Sequence, residues 1–274
     1  METNVLRWMS FGVNNMNTIK IPSVADFLAE IPKLRNQRNK GSLYYRGEPK
    51  AFPQVCCPTL YRKDEWARRE RYFHNELLHR FPESVRGLDL DLERMVLMQH
   101  YGFPTRLLDV SESPLVALYF AVENEDFDGE DYEDGFVHCI KVPYEGIHYA
   151  QNDEVKKIAK LVRKDDDFLL EPPDDYRKIL FVKPPWKNDR IRAQQGQMII
   201  FGCDGHKLNP VYLPKKEQAD APFLHRTWQI PAENKKPIRK ELYDIGIHEW
   251  TLFPDIEHLA SELKRKKVRR ALDQ

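Results

Sequence analysis

The run from Pro114 to Val122 reads P-L-V-A-L-Y-F-A-V and carries no charged residue on any side of the helix it would form. A helix that is apolar all round has no face to give to water, so it must lie inside the core, and the chain just before it must arrive at the core's edge. Ser113 is placed to cap its first turn, and Pro114 falls at the first helical position, where a missing N–H costs nothing. Upstream, Gly102 and Pro104 mark a turn, and Thr105 to Val110 predicts a short strand. That arrangement gathers His100, Arg106, Asp109 and Ser111 at one rim of a packed interior. Polar side chains are costly to bury without partners. The four therefore form either a site or a local network in which Arg106 pairs with Asp109 and His100 caps the turn.

A second segment, Leu43-Tyr44-Tyr45-Arg46-Gly47-Glu48, predicts an aromatic strand ending in Arg-Gly. Gly47 permits a close approach by backbone or ligand, and Arg46 offers a rigid fork of donors suited to phosphate. Around these segments the pattern predicts an opening helix from Ser23 to about Gln37, interrupted at Pro32, a charged helix from Asp64 to Arg80, and another from Leu92 to His100. The dipole at the end of that last helix favours a protonated His100. Arg62 is open between the same pocket and a surface pair with Asp64 or Glu65. Strands are predicted at Gly135 to Val142, Ile179 to Val182, Met198 to Phe201 and Arg226 to Ile230, with a late helix carrying Ile238, Leu242 and Ile245 on one face. One compact α+β body with a C-terminal helical extension accounts for them.

With 274 residues, 41% of them hydrophobic, the chain has material for one large core or two modest ones. Its 43 basic and 43 acidic residues balance, yet eight of the twelve from Glu123 to Asp134 are acidic and six of the seven from Lys264 to Arg270 are basic. Either run can meet a partner, although a solvated loop and a solvated helix end explain them equally simply. No secretion signal and no apolar run of ~20 residues is present, which gives the expectation of a cytoplasmic protein with no membrane partner. Cys56, Cys57, Cys139 and Cys203 form no C-x-x-C pair, so all four are read as reduced thiols and no metal is expected. Signatures of nucleotide hydrolases, dehydrogenases, zinc proteases and lipases are missing, and a Ser111-His100-Asp109 triad within twelve residues has no support from spacing.

Three motifs taken together resemble a known family. Y-R-G-E at Tyr45, Q-H-Y-G-F-P-T-R-L-L-D-V-S at Gln99 followed by A-L-Y-F-A, and R-I-R-A-Q-Q-G at Arg190 are similar in kind and order to the FRG domain, named for its (F/Y)-R-G motif. The likeness spans roughly residues 23–202, and G-I-H-E-W-T-L-F-P-D at Gly246 resembles the tail that often follows. It implies an FRG domain over 1–204 with a 205–274 extension packed on the same body. It also implies an ADP-ribosyltransferase-like fold of two small packed sheets with flanking helices and NAD between them.

On that resemblance Arg46, His100, Asp109 and Gln195 are the expected catalytic residues, with Tyr45, Gly47, Thr105, Arg106, Ser111 and Gln194 about the NAD. Arg46 would hold phosphate, Asp109 and Ser111 the nicotinamide ribose, and Gln195 the place where transferases carry Glu. Arg106, if turned inward, would brace Asp109. The implied activity is transfer of ADP-ribose from NAD to a protein or nucleic-acid acceptor. An amide offers a dipole where a carboxylate offers charge, so a non-catalytic sensor that binds a nucleotide or ADP-ribose is the alternative. Arg46, His100, Asp109 and Gln195 are expected to line one cleft.

Overall fold

The computed structural model describes residues 18–34, 41–124, 127, 129–165, 173–185, 189–215, 220–256, 258–260 and 263. The basic run at 264–270, the end of the opening helix at 35–37 and part of the acidic stretch lie outside them.

The α-helices include α1 (Val24–Glu30), α2 (Asp64–Arg68), α3 (Glu70–Arg80), α4 (Asp91–His100), α5 (Pro114–Val122), α6 (Asp153–Ala159), α7 (Asp189–Ala193), α8 (Ala232–Asp244) and α9 (Glu249–Leu252). The strands are β1 (Ile19–Lys20), β2 (Gly41–Glu48), β3 (Leu107–Ser111), β4 (Gly135–Pro143), β5 (Ile147–Tyr149), β6 (Ile179–Lys183), β7 (Gly196–Phe201) and β8 (Phe223–Ile230). No described helix is long and apolar enough to cross a membrane.

The caps behave as the sequence predicts. Ser23 Oγ accepts from the Asp26 amide at 3.1 Å, and Ser113 Oγ accepts from the Val116 amide at 3.4 Å. The first helix is shorter than expected, because residues 31–34 tighten into a 3-10 turn around Pro32, which has no N–H to donate. The expected 64–80 helix is broken at Arg69, whose φ of −96° and ψ of 7° leave the helical region, giving α2 and α3. Thr105 and Arg106 precede β3 rather than opening it.

The α+β class holds, but the eight strands form one hydrogen-bonded sheet in the order β1-β8-β4-β2-β3-β7-β6-β5. The two packed sheets implied by the resemblance are not separate. What stands in their place is a seam: β2 meets β4 through eight registered pairs and β3 meets β7 through five, whereas β2 meets β3 through Tyr45↔Ser111 alone. The sheet thus has two well-paired halves that part beyond that contact, near Arg46 and Asp109.

One face of the sheet is covered by the loop and turns around Val55, Leu60 and Tyr61. The other is covered on one half by α1, α5 and α8, with Phe27 set edge-on to the fully buried Trp228 at 5.4 Å, and on the other half by α4 and α6. Helix α5 is the buried helix its composition requires, with Leu118, Ala121 and Val122 fully enclosed. β8 lies between β1 and β4, so the 205–274 segment contributes an interior strand to the sheet as well as a helical cover.

Candidate functional site

Alternation along β2 puts Arg46 and Glu48 on one face and Tyr45 and Gly47 on the other. At the seam the Arg46 side chain fills the gap that ladder hydrogen bonds leave, and its Nη1 donates to the Asp109 carbonyl at 3.1 Å. Its Nε is buried and has no hydrogen-bond partner. A cavity of about 40 Å³ opens here, lined by Arg46, Asp109, Ser111, Gln194 and Gln197 among others. Ser111 Oγ donates to the Gln194 carbonyl at 2.7 Å and accepts from the Ser113 amide at 3.0 Å, tying β3 both to the turn before β7 and to the start of α5. Gln194 Nε2 donates to the Leu252 carbonyl at 3.1 Å. Gln197, which sequence reasoning missed, donates from Nε2 to Glu112 at 2.9 Å and keeps its Oε1 buried without a partner. Its one prior signal was its place one residue inside the strand that follows Gln-Gln-Gly.

Next to this gap lies a buried polar group. Glu48 Oε2 and His138 Nε2 are 3.1 Å apart, and His138 Nδ1 is 3.0 Å from Thr227 Oγ1, a line of contacts across β2, β4 and β8. Arg62 stacks over Phe52 at 4.0 Å, and its Nε is buried without a hydrogen-bond partner. The alternative of a pair with Asp64 or Glu65 is not what the side chain does. Burial and the nearby charge of Arg46 lower the pKa of Arg62 from its ordinary value. The Glu48 carboxylate lies within the field of both guanidiniums and offsets part of their mutual repulsion.

The other expected residues are distributed differently. Arg106 is fully buried just before β3, at the end away from the Tyr45–Ser111 contact, where Nε and Nη2 donate to Glu70 at 2.7 and 2.6 Å and Nη1 donates to the Phe201 carbonyl at 3.0 Å. Lys207 Nζ joins Glu70 at 3.2 Å. Arg106 therefore pairs with Glu70 rather than Asp109 and is an internal strut. Thr105 bonds Gln99 and the Leu107 amide, a local role that faces no cavity at the seam. Gly47 is required by helix packing: a Cβ there would stand 2.0 Å from the Ala117 carbonyl oxygen. Tyr45 is buried and lines the seam cavity.

His100 lines a separate cavity of about 430 Å³ with Tyr101, Arg190, Asp255 and apolar residues of α4. Burial, and after it the charge of Arg190, lower the pKa of its imidazole from the usual histidine value, opposite to the direction expected from the helix dipole. Gln195 is exposed at a left-handed φ of +47°, with its amide donating to the Arg192 carbonyl and its carbonyl accepting from the Glu112 amide. The expected single cleft is not formed: Arg46 and Asp109 share the seam cavity, His100 belongs to the larger one, and Gln195 lines neither. Helix α7 separates the two, with Ile191 lining both and Arg190 in the larger cavity lying within electrostatic reach of Asp109. Arg190 stacks on Phe253 at 4.3 Å.

Residues 41–129 match the family model of the FRG domain, the stretch from β2 past the end of α5 that carries Y-R-G-E and the His100-to-Ser111 segment. The chain therefore carries an FRG domain there. No curated protein and no solved structure matches the chain.

Proposed function

We propose that the chain is an NAD-dependent ADP-ribosyltransferase-like protein whose dinucleotide is held at the seam between β2 and β3. The observation that carries this reading is Arg46, a half-buried guanidinium hydrogen-bonded to one backbone carbonyl and with a buried Nε bonded to nothing. A phosphate would complete its fork. The seam cavity admits little more than the phosphate, so the rest of the dinucleotide is assigned to the larger cavity beyond Ile191, and the reading requires α7 to shift so that the two cavities join. Breaking the C1′–nitrogen bond releases neutral nicotinamide with the bonding electron pair and leaves positive charge on the ribose. Asp109, beside Arg46, is the carboxylate assigned to stabilise that charge. The acceptor's nucleophile then bonds to C1′ and gives its proton to solvent. The acceptor is a protein or a nucleic acid.

A second reading, a non-catalytic sensor of NAD or ADP-ribose, is favoured by Gln195. It points to solvent, so the third motif contributes no carboxylate to either cavity. Calorimetry with NAD and ADP-ribose, paired with nicotinamide release across protein, RNA and DNA acceptors, separates the two. For a transferase, Arg46→Ala abolishes binding, whereas Asp109→Asn binds NAD and releases nicotinamide at least ~100-fold more slowly. Binding without release by the unaltered protein identifies the sensor. Absence of binding to either ligand refutes both.

A further inference from the structure

We infer that Glu48, Cys56 and His138 form a buried binding site for one zinc ion, a conclusion that does not depend on the nucleotide reading. A carboxylate oxygen, the thiol sulfur and a ring nitrogen lie within 4.8 Å of one another, and all three residues are buried. They come from the end of β2, the middle of β4 and the loop after β2, which bends through Cys56 at a φ of +52°. That left-handed conformation is disfavoured for a residue with a side chain and persists where surrounding structure imposes it.

Two further observations point to a cation. Glu48 Oε1 is buried and has no hydrogen-bond partner, although Glu48 is only 1% exposed. An unbonded carboxylate oxygen removed from water carries a desolvation penalty that a coordinated ion offsets. The His138 ring is also already oriented, with Nδ1 at 3.0 Å from Thr227 Oγ1 and Nε2 turned towards Glu48 Oε2 at 3.1 Å. Metal-bound histidines characteristically fix the ring through a bond to the other nitrogen. Bonds of about 2.0–2.1 Å to a tetrahedral zinc would separate such an N and O by roughly 3.3 Å, close to the observed spacing.

The chemistry balances. Burial alone would raise the Glu48 carboxyl, but the bond from His138 and the charges of His138, Arg46 and Arg62 outweigh it and hold the group below the usual carboxylate range, as an anion. Burial pushes the Cys56 thiol well up, so coordination replaces the S–H bond with an S–Zn bond and releases one proton to solvent. His138 coordinates through Nε2, which gives up to solvent the proton it holds towards Glu48, and the ring keeps its other proton on Nδ1, directed to Thr227. Carboxylate and thiolate offset the two charges of the ion, against the opposing field of Arg46 and Arg62. A donor set of thiolate, imidazole and carboxylate suits zinc rather than magnesium or calcium. No cysteine spacing announces such a site, because its three donors come from separate pieces of chain.

The test uses the 274-residue chain, stripped with a chelator and titrated with zinc and separately with cobalt(II). About one equivalent should bind, the cobalt form should show thiolate-to-metal charge-transfer absorption, and zinc should raise the melting temperature. Cys56→Ala should remove the absorption and weaken zinc binding by more than about 100-fold, while Cys139→Ala, at another buried cysteine, should leave both intact. Glu48→Gln retains the side-chain shape and should weaken zinc while keeping the thiolate band, which tests the site if Cys56→Ala fails to fold. Folded protein that binds neither metal overturns the inference, and so does a charge-transfer band that survives in folded Cys56→Ala.

Discussion

Arg46 and Arg106 show how two arginines in the conspicuous motifs take opposite roles according to the partners folding gives them. Arg106 meets a carboxylate squarely: both oxygens of Glu70 accept from it, and neither residue reaches water. Arg46 meets only a backbone carbonyl and keeps an unbonded Nε. Removing one member of a buried ion pair strands the other, so Arg106→Ala should cost about 3–5 kcal/mol in denaturant unfolding at neutral pH. The same pair sets an acid limit. Burial would raise the Glu70 carboxyl, yet Arg106 and then Lys207 hold it below its ordinary value. A depressed folded-state pKa stabilises the protein above the unfolded value of about 4.3, and that contribution is lost as pH falls through the folded pKa. Glu70→Gln should therefore be less stable than the parent at pH 7, and the gap should narrow as the pH is lowered below about 4. A gap that is constant with pH would show that Glu70 contributes shape rather than charge.

Helix α5 is the element on which the seam depends. It presses so closely on the sheet that β2 and β4 both present glycine to it. A Cβ at Gly47 would lie 2.0 Å from the Ala117 carbonyl oxygen, and one at Gly135 would lie 2.0 Å from that of Ala121. The obstructing atoms are backbone, which cannot rotate aside as a side-chain end can. Gly47→Ala should consequently push α5 off β2 and destabilise the protein by roughly 3 kcal/mol or more, with the seam cavity opened by the displacement of Val116 and Ala117. Unfolding by urea reads the loss. An unchanged midpoint would mean that α5 slides freely on the sheet, contrary to the packing described here. The glycine of the Arg-Gly pair thus serves the helix that follows it by some seventy residues, and the arginine beside it serves the gap.

At the scale of the whole molecule, the C-terminal segment belongs to the core. β8 pairs with β4 from Gly135↔Ile230 to Lys141↔Phe223 and buries Trp228 completely. Without it β4 becomes an edge, and the apolar residues of α1 and α5 lose the surface they cover. A 1–204 fragment should fail to give a cooperative thermal transition, whereas the full chain should melt as one unit, as monitored by circular dichroism. A fragment that melts cooperatively would restore the separable domain that the motif boundaries suggest.

The sequence alone determines what depends on near neighbours. The capping serines, the buried identity of α5 and most strand centres follow from short-range pattern, since hydrogen-bond geometry and apolar periodicity are local properties. It also brings Arg46, Asp109, Ser111 and Gln194 into one group, through motifs whose residues do line the seam cavity. Partners far along the chain were decided only in three dimensions. Arg106 bonds Glu70 rather than Asp109 because β3 begins after it and its side chain turns away from the seam; His100 faces a different cavity because α7 stands between. Gln194 and not its neighbour Gln195 reaches the site because one residue of left-handed backbone ends the turn. The seam itself is a matter of strand register, and register is a relation between segments that no single segment contains.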